Sequence, residues 1–229
     1  MAYDPNTWFN PRFAIILLWK LRERVGERVI NSSRFQKERE AWAVSTALLG
    51  ISKITKEMWW IQIPKEDPPD ISAMTLTPYE DENRNYINYR LVEVMEITKY
   101  TSNNIVNEIL NKLENKYYEK ETCLLVHMRR DESIKDMRVL SEELKKQIKG
   151  VADVWILGNE IPATNNFILF SLFPDVQVVR FDLDEEIPKL PLVNTIVVER
   201  GKGTGYKKIK GEMSTFNPQH KPIKEKLKK

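Results

Sequence analysis

Between Pro68 and Thr98 the chain reads PPDISAMTLTPYEDENRNYINYRLVEVMEIT, and two carboxylates interrupt its second apolar run. Two strands, near 70–76 and 86–98, joined by a polar turn at Tyr79–Asn85, form the predicted hairpin. Side chains alternate along a strand, so Leu91, Glu93, Met95 and Ile97 share one face, and Val92, Val94 and Glu96 share the other. A carboxylate in such a strand costs several kcal/mol unless something pairs it. A divalent cation shared by Glu93 and Asp70 would supply that partner. The alternative is a surface hairpin with exposed acids. Glu96 points to the face opposite Glu93 and stands outside the candidate site.

The flanking segments define the setting. Residues 12–29 read as an amphipathic helix with Phe13, Ile16, Leu17 and Leu21 at helical spacing, weakened at Gly26. Asn31-Ser32-Ser33 offers an N-cap for a second helix, about Arg34 to Ser52, whose stripe is Glu40, Val44, Ala47, Leu48 and Ile51. Glu40 therefore lies on the apolar face, as the polar edge of the stripe or as a third acid of the site. Met58–Ile63 reads as a short strand closed by Pro64, and 103–118 as a helix after Ser102-Asn103-Asn104. Thr122–Met128 (TCLLVHM) is a continuous apolar strand of the buried, parallel kind. Asp131–Lys149 reads as a polar amphipathic helix, with strands at 151–157, 167–173, 176–183 and 194–199.

These elements predict an α/β protein with a central mixed sheet flanked by helices. The expected divisions are an N-terminal helix (1–30), an α/β core (31–150), strands that extend the sheet or form a small subdomain (151–200), and a basic tail (201–229). That tail holds nine Lys and no Arg against Glu212 and Glu225, or +7. Net charge is +3, so the remainder carries −4. A mildly acidic body with an extended or mobile basic tail suits nucleic-acid binding, and suits a solvated terminus equally. The lone Cys123 excludes an internal disulfide framework and fits a reducing compartment. No apolar run approaches the roughly 20 residues a membrane span requires, and MAYDPNTWFNPR lacks a basic signal-peptide start. The expectation is a cytoplasmic protein without membrane contact.

From Arg34 to Met128 the predicted order is helix, strand, strand, strand, helix, strand. With Pro69-Asp70 opening one hairpin strand and Glu93-Val94-Met95 within its partner, this order resembles the αβββαβ core of the PD-(D/E)xK nuclease superfamily. Restriction enzymes, Holliday-junction resolvases and viral cap-snatching endonucleases belong to that superfamily. The resemblance covers roughly the first 60% of the chain. It implies metal-dependent hydrolysis of phosphodiester bonds in DNA or RNA, with Mg²⁺ or Mn²⁺ at Asp70 and Glu93 and Glu40 as the helix acid some branches use. One position departs from the pattern. The family carries Lys two residues after the second acid, and here that residue is Met95, which can neither donate a proton nor hold charge. Some branches take the lysine from the following helix, so Lys112, or Lys99 further along the strand, would complete the catalytic set. Loss of the lysine instead implies an inactive nuclease-fold protein that binds nucleic acid or acts as a scaffold. Candidate phosphate contacts are Arg129 and Arg130 past a strand end, and Lys202, Lys207, Lys208 and Lys210 in the tail. His127 and Cys123 read as buried core residues. Gly201-Lys202-Gly203-Thr204-Gly205 lacks the spacing of a phosphate-binding loop.

Overall fold

The computed structural model describes residues 7–65, 69–78, 85–101, 104–114, 118, 122–130, 136–148, 150–161, 164–200, 206–215 and 223–225. A short strand, β1 (Trp8–Phe9), leads into α1 (Pro11–Val25). Asn10 caps α1 by accepting from the Arg12 N–H, and Pro11 fills the first turn, where no N–H is missed. Gly26 ends the helix at φ 66°, a left-handed conformation that glycine adopts without penalty. A single turn, α2 (Arg28–Asn31), and a 3₁₀ turn at Ser33–Phe35 lead into α3 (Gln36–Thr55). The expected Asn31–Ser33 cap serves that 3₁₀ turn, where Ser32 Oγ accepts from Arg34 N.

Helix α3 is buried well beyond the predicted stripe: Ala41, Ala43, Ser45, Thr46 and Leu49 are as enclosed as Val44 and Leu48. It is sandwiched between α1 and the sheet. At Gly50 the approach is so close that a Cβ would lie 2.8 Å from the Phe181 ring.

The sheet contains β2 (Trp59–Gln62), β3 (Ile71–Pro78), β4 (Asn85–Ile97), β5 (Thr122–Met128), β6 (Asp153–Asn159), β7 (Asn166–Phe173), β8 (Gln177–Asp182), β9 (Thr195–Arg200), β10 (Tyr206–Thr215) and β11 (Ile223–Glu225), together with β1. Their order is β11-β10-β9-β1-β2-β3-β4-β5-β6-β7-β8. Strands β2, β3 and β4 form an antiparallel meander, then β4, β5 and β6 run parallel, and β7 and β8 return antiparallel. The sheet is mixed and flanked by helices, as the sequence pattern predicts. Helices α4 (Ile105–Glu114) and α5 (Met137–Gln147) make the crossovers that parallel pairing requires. A short α6 (Leu183–Glu186) follows β8, with Asp182 as its N-cap.

Residues after 150 divide between the two sides of the core. Strands β6–β8 extend the sheet beyond β5, whereas β9 pairs with β1 at the other side. In the tail, Tyr206–Thr215 forms β10, paired with β9 and, through Tyr206 opposite Asn85, with β4. The predicted turn at Tyr79–Asn85 lies outside the described residues apart from Asn85.

Three apolar clusters follow from the alternation. One lies between the sheet and α1/α3 and includes Ile71, Val92, Val94, Leu125 and Leu169. The second lies under α4 and α5, with Ile97, Leu124, Val126 and Ile156. Trp8, Trp60, Met74 and Ile196 form the third. Leu124 and Leu125 thus belong to opposite faces of one strand, which is why β5 reads as continuously apolar.

Candidate functional site

The strand pair β3–β4 forks at its end. Ile71 pairs with Val92, but β4 runs on to Ile97 while β3 begins only at Ile71. Beyond Val92 the β3-facing edge of β4 therefore has no strand beside it. Asp70, the residue before Ile71, fills the gap with its side chain: Oδ2 accepts the Val94 N–H at 2.9 Å. This bond holds a carboxylate at the level of the sheet and satisfies a backbone donor that burial would otherwise strand. Asp70 is 5% exposed.

Two further carboxylates lie on the two faces of the sheet. Glu93 points toward α4, where its Oε1 meets Lys112 Nζ at 2.8 Å, and it is 1% exposed. Glu40 comes from α3 on the opposite side and accepts from Gln36 Nε2 at 2.8 Å. Lys37, one turn before Glu40, lies between the acids, its Nζ 3.1 Å from Glu40 Oε2 and 3.1 Å from Asp70 Oδ1. Burial, and then the Asp70 charge, push the Glu40 carboxyl above its ordinary range, against the opposing pull of Gln36 and Lys37. Burial lowers the Lys37 ammonium, but Asp70 and Glu40 outweigh it and the net shift is upward.

Of the predicted site residues, the structure joins Asp70 to Glu40 through Lys37, and separately joins Glu93 to Lys112 on the other face of β4. Lys99 is not among those contacts. It is exposed in the turn after β4, with its ammonium over the Tyr100 ring at 5.0 Å. Met95 shares the Glu93 face and packs into the apolar cluster under α4 and α5. Lys37 was not foreseen from the sequence. The available signal was its spacing of three from Glu40, which places both on one side of a helix.

Glu96, set aside on strand alternation, faces the α3 side. It binds Arg39 at 3.2 Å and Arg129 at 2.8 Å, with His127 Nδ1 4.0 Å away. Burial pushes the Glu96 carboxyl up, but Arg129 and Arg39 outweigh this and bring it below its ordinary range. The candidate phosphate contacts Arg129 and Arg130 also donate to backbone carbonyls, Arg129 to Ile30 and Arg130 to Thr98 and Thr101. Lys202 lies outside the described residues. Lys207, Lys208 and Lys210 are on β10, whose described structure is its backbone.

Carboxylate oxygens are the hard donors that Mg²⁺ and Mn²⁺ prefer, so the chemistry of Glu40, Asp70 and Glu93 suits either ion. Among the described residues, however, no three carboxylates, imidazoles or thiols converge as they stand in a group able to hold a metal ion. Lys37 is the cation that now bridges Glu40 and Asp70. Among the described residues no helix is long and apolar enough to cross a membrane. No family model, curated protein or solved structure matches the chain.

Proposed function

We propose that the protein is a metal-dependent nuclease that hydrolyses phosphodiester bonds in DNA or RNA, built on a core like that of the PD-(D/E)xK enzymes. The observation that carries this reading is Asp70, held by the Val94 N–H at the fork and joined to Glu40 through Lys37, with Glu93, the residue before Val94, paired to Lys112 on the other face of the strand. The element order α3-β2-β3-β4-α4-β5 supports it too. Asp70, Glu93 and Glu40 would hold Mg²⁺ or Mn²⁺, which supplies Lewis acidity at the phosphoryl oxygen. Lys112 takes the role left vacant by Met95. Its ammonium stands beside Glu93 and offsets negative charge that develops as the phosphoryl group is attacked. Asp70 cannot rotate away without breaking its bond to Val94, which fixes the donor geometry in advance. Lys37 has to leave Asp70 and Glu40, and its side chain, 36% exposed, has a path to water.

A second reading has its own observation. Met95 replaces the motif lysine, and Lys37 already neutralises Glu40 and Asp70 without a metal. Such a site suits a nuclease-fold protein that binds nucleic acid without cutting it. Calorimetric titration of Mn²⁺ into the wild type and Asp70→Ala, with plasmid and single-stranded RNA cleavage on the same samples, separates the two. The nuclease reading expects binding and cleavage that both vanish in Asp70→Ala. It also expects Lys112→Ala to lower the cleavage rate about 10²–10³-fold, while Lys99→Ala leaves the rate unchanged. Metal binding without cleavage supports the silent binder, and no metal binding overturns the nuclease reading.

A further inference from the structure

At the ends of β5 and β6, apart from the three acids, lies a cleft of about 990 Å³. Its position follows from topology. Strands β5 and β6 are parallel, and their carboxyl ends, at Met128–Arg129 and Gly158–Asn159, form one wall. Crevices at the carboxyl ends of parallel strands are where open α/β sheets place ligands. The volume matches that of small-molecule sites.

The lining is unusual in charge. Arg22, Arg39, Arg129, Arg130 and Arg180 contribute, and Glu160 is the one carboxylate among the described lining residues. Four of these arginines fall into two groups. Arg39 and Arg129 are fixed by Glu96 and by the carbonyls of Val29, Ser32 and Ile30, so they set a standing positive potential. Arg22 and Arg180 stand at the rim in exposed pairs with Glu27 and Glu160. Exposed pairs of this kind contribute little, so both guanidiniums can turn to an incoming anion.

The floor is aromatic. Trp42 lies 5.4 Å from the His127 ring and 5.6 Å from Phe167, and Trp19 adds further apolar surface. His127 is 8% exposed, and its Nδ1 has no hydrogen-bond partner among the described residues, standing 4.0 Å from Glu96 Oε1. Burial, helped by Arg129 and Arg39 against the pull of Glu96, lowers the imidazole to about 4, so at neutral pH it is uncharged. A neutral imidazole carries one N–H donor and one lone-pair nitrogen that can accept. A buried polar group without a partner, beside aromatic faces and under mobile guanidiniums, is suited to a planar ligand bearing N–H donors and an anion.

We propose that the cleft is a nucleotide site, in which the base lies against Trp42 and Phe167 and donates an N–H to His127 while its phosphate engages Arg22 and Arg180. The occupant is a free nucleotide or one nucleotide of a strand. The site stands independently of the phosphodiesterase reading, because none of its residues belongs to the acidic group.

The test is titration of AMP, of UMP, and of a 5′-phosphorylated five-nucleotide RNA, followed by calorimetry and tryptophan fluorescence. Ribose 5-phosphate and inorganic phosphate serve as controls. EDTA is present throughout, so failure here leaves the metal-binding test of the acidic site untouched. Binding of a mononucleotide or the RNA should be at least tenfold tighter than that of ribose 5-phosphate and should quench fluorescence. The Arg22→Ala/Arg180→Ala double variant, which removes only exposed pairs and so keeps the fold, should lose at least tenfold. RNA tighter than AMP identifies the strand as the source, and AMP as tight as or tighter than RNA identifies the free nucleotide. Nucleotides and RNA no tighter than ribose 5-phosphate, or unchanged affinity in the double variant, overturns the proposal.

Discussion

Replacing Lys37 by methionine removes the cation that stands 3.1 Å from both Glu40 and Asp70 while keeping the length of the side chain. Breaking a buried ion pair by deleting one partner costs about 3–5 kcal/mol, whereas an exposed pair is worth about 0–1 kcal/mol. Lys37 falls between these limits. The two carboxylates have side chains 7% exposed, but the lysine is 36% exposed and water can reach its end of the contact. The expected loss is therefore about 2 kcal/mol. For a chain of this size that lowers the melting temperature by about 4–8 °C. Scanning calorimetry in EDTA measures it directly. The same scans in Mn²⁺ carry the functional content. An ion that occupies the acids in the wild type must displace the ammonium, and in Lys37→Met it need not. A ligand at a hundredfold its Kd stabilises by about 2.7 kcal/mol, so Mn²⁺ should more than restore the variant and should shift it further than the wild type. Equal Mn²⁺ shifts in both proteins, or a variant as stable as wild type in EDTA, would refute the view of Lys37 as an internal counter-ion occupying a cation position.

Other expectations follow from single contacts. His127 is held near 4 by burial against an unfolded value of 6.5, so its contribution to stability is full above 6.5 and is lost as pH falls toward 4. That loss amounts to about 3 kcal/mol, and the difference between melting profiles of wild type and His127→Gln from pH 4 to 8 should show it. Gly50→Ala puts a methyl 2.8 Å from the buried Phe181 ring and should destabilise by about 1–3 kcal/mol in urea unfolding. Asp70→Ala strips the Val94 N–H of its acceptor and should cost about 1–3 kcal/mol in EDTA; a cost near zero would mean that water replaces the carboxylate there.

The strands were legible wherever alternation or apolarity was local. Thr122–Met128 agrees with β5 at both ends, and Glu93 opposing Glu96 across β4 follows from a period of two alone. The β3–β4 hairpin was equally legible, because its register carries Val92 and Val94 to the buried face. Three features were not. Strand β1 is two residues long, too short for any period, and exists because Phe9 pairs with Ile61 and Trp8 with Ile196. Helix α3 was read as one stripe, since its second buried face depends on α1 packing over it. The role of Lys37 depends on Asp70, 33 positions away, approaching through a gap that only the unequal lengths of β3 and β4 create. Lys99 and Lys112 were equal as sequence. What separates them is that Lys99 lies in an exposed turn, whereas α4 packs back onto the Glu93 face.

Two lysines pair with the three acids. Glu40, Asp70 and Glu93, when ionised, carry three negative charges, and Lys37 and Lys112 return two. The upward shift of Glu40 comes from burial first and then from the Asp70 charge, against the opposing pull of Gln36 and Lys37. Exchanging Lys37 for a divalent cation brings the sum to zero without moving the strand or Lys112. Supplying the motif lysine from β4 instead, by Met95→Lys, would set a second ammonium beside Glu93, which Lys112 already pairs, and would bury its stem in the cluster under α4 and α5. Of the two lysines, the one on α3 has the more exposed side chain, at 36% against 27%.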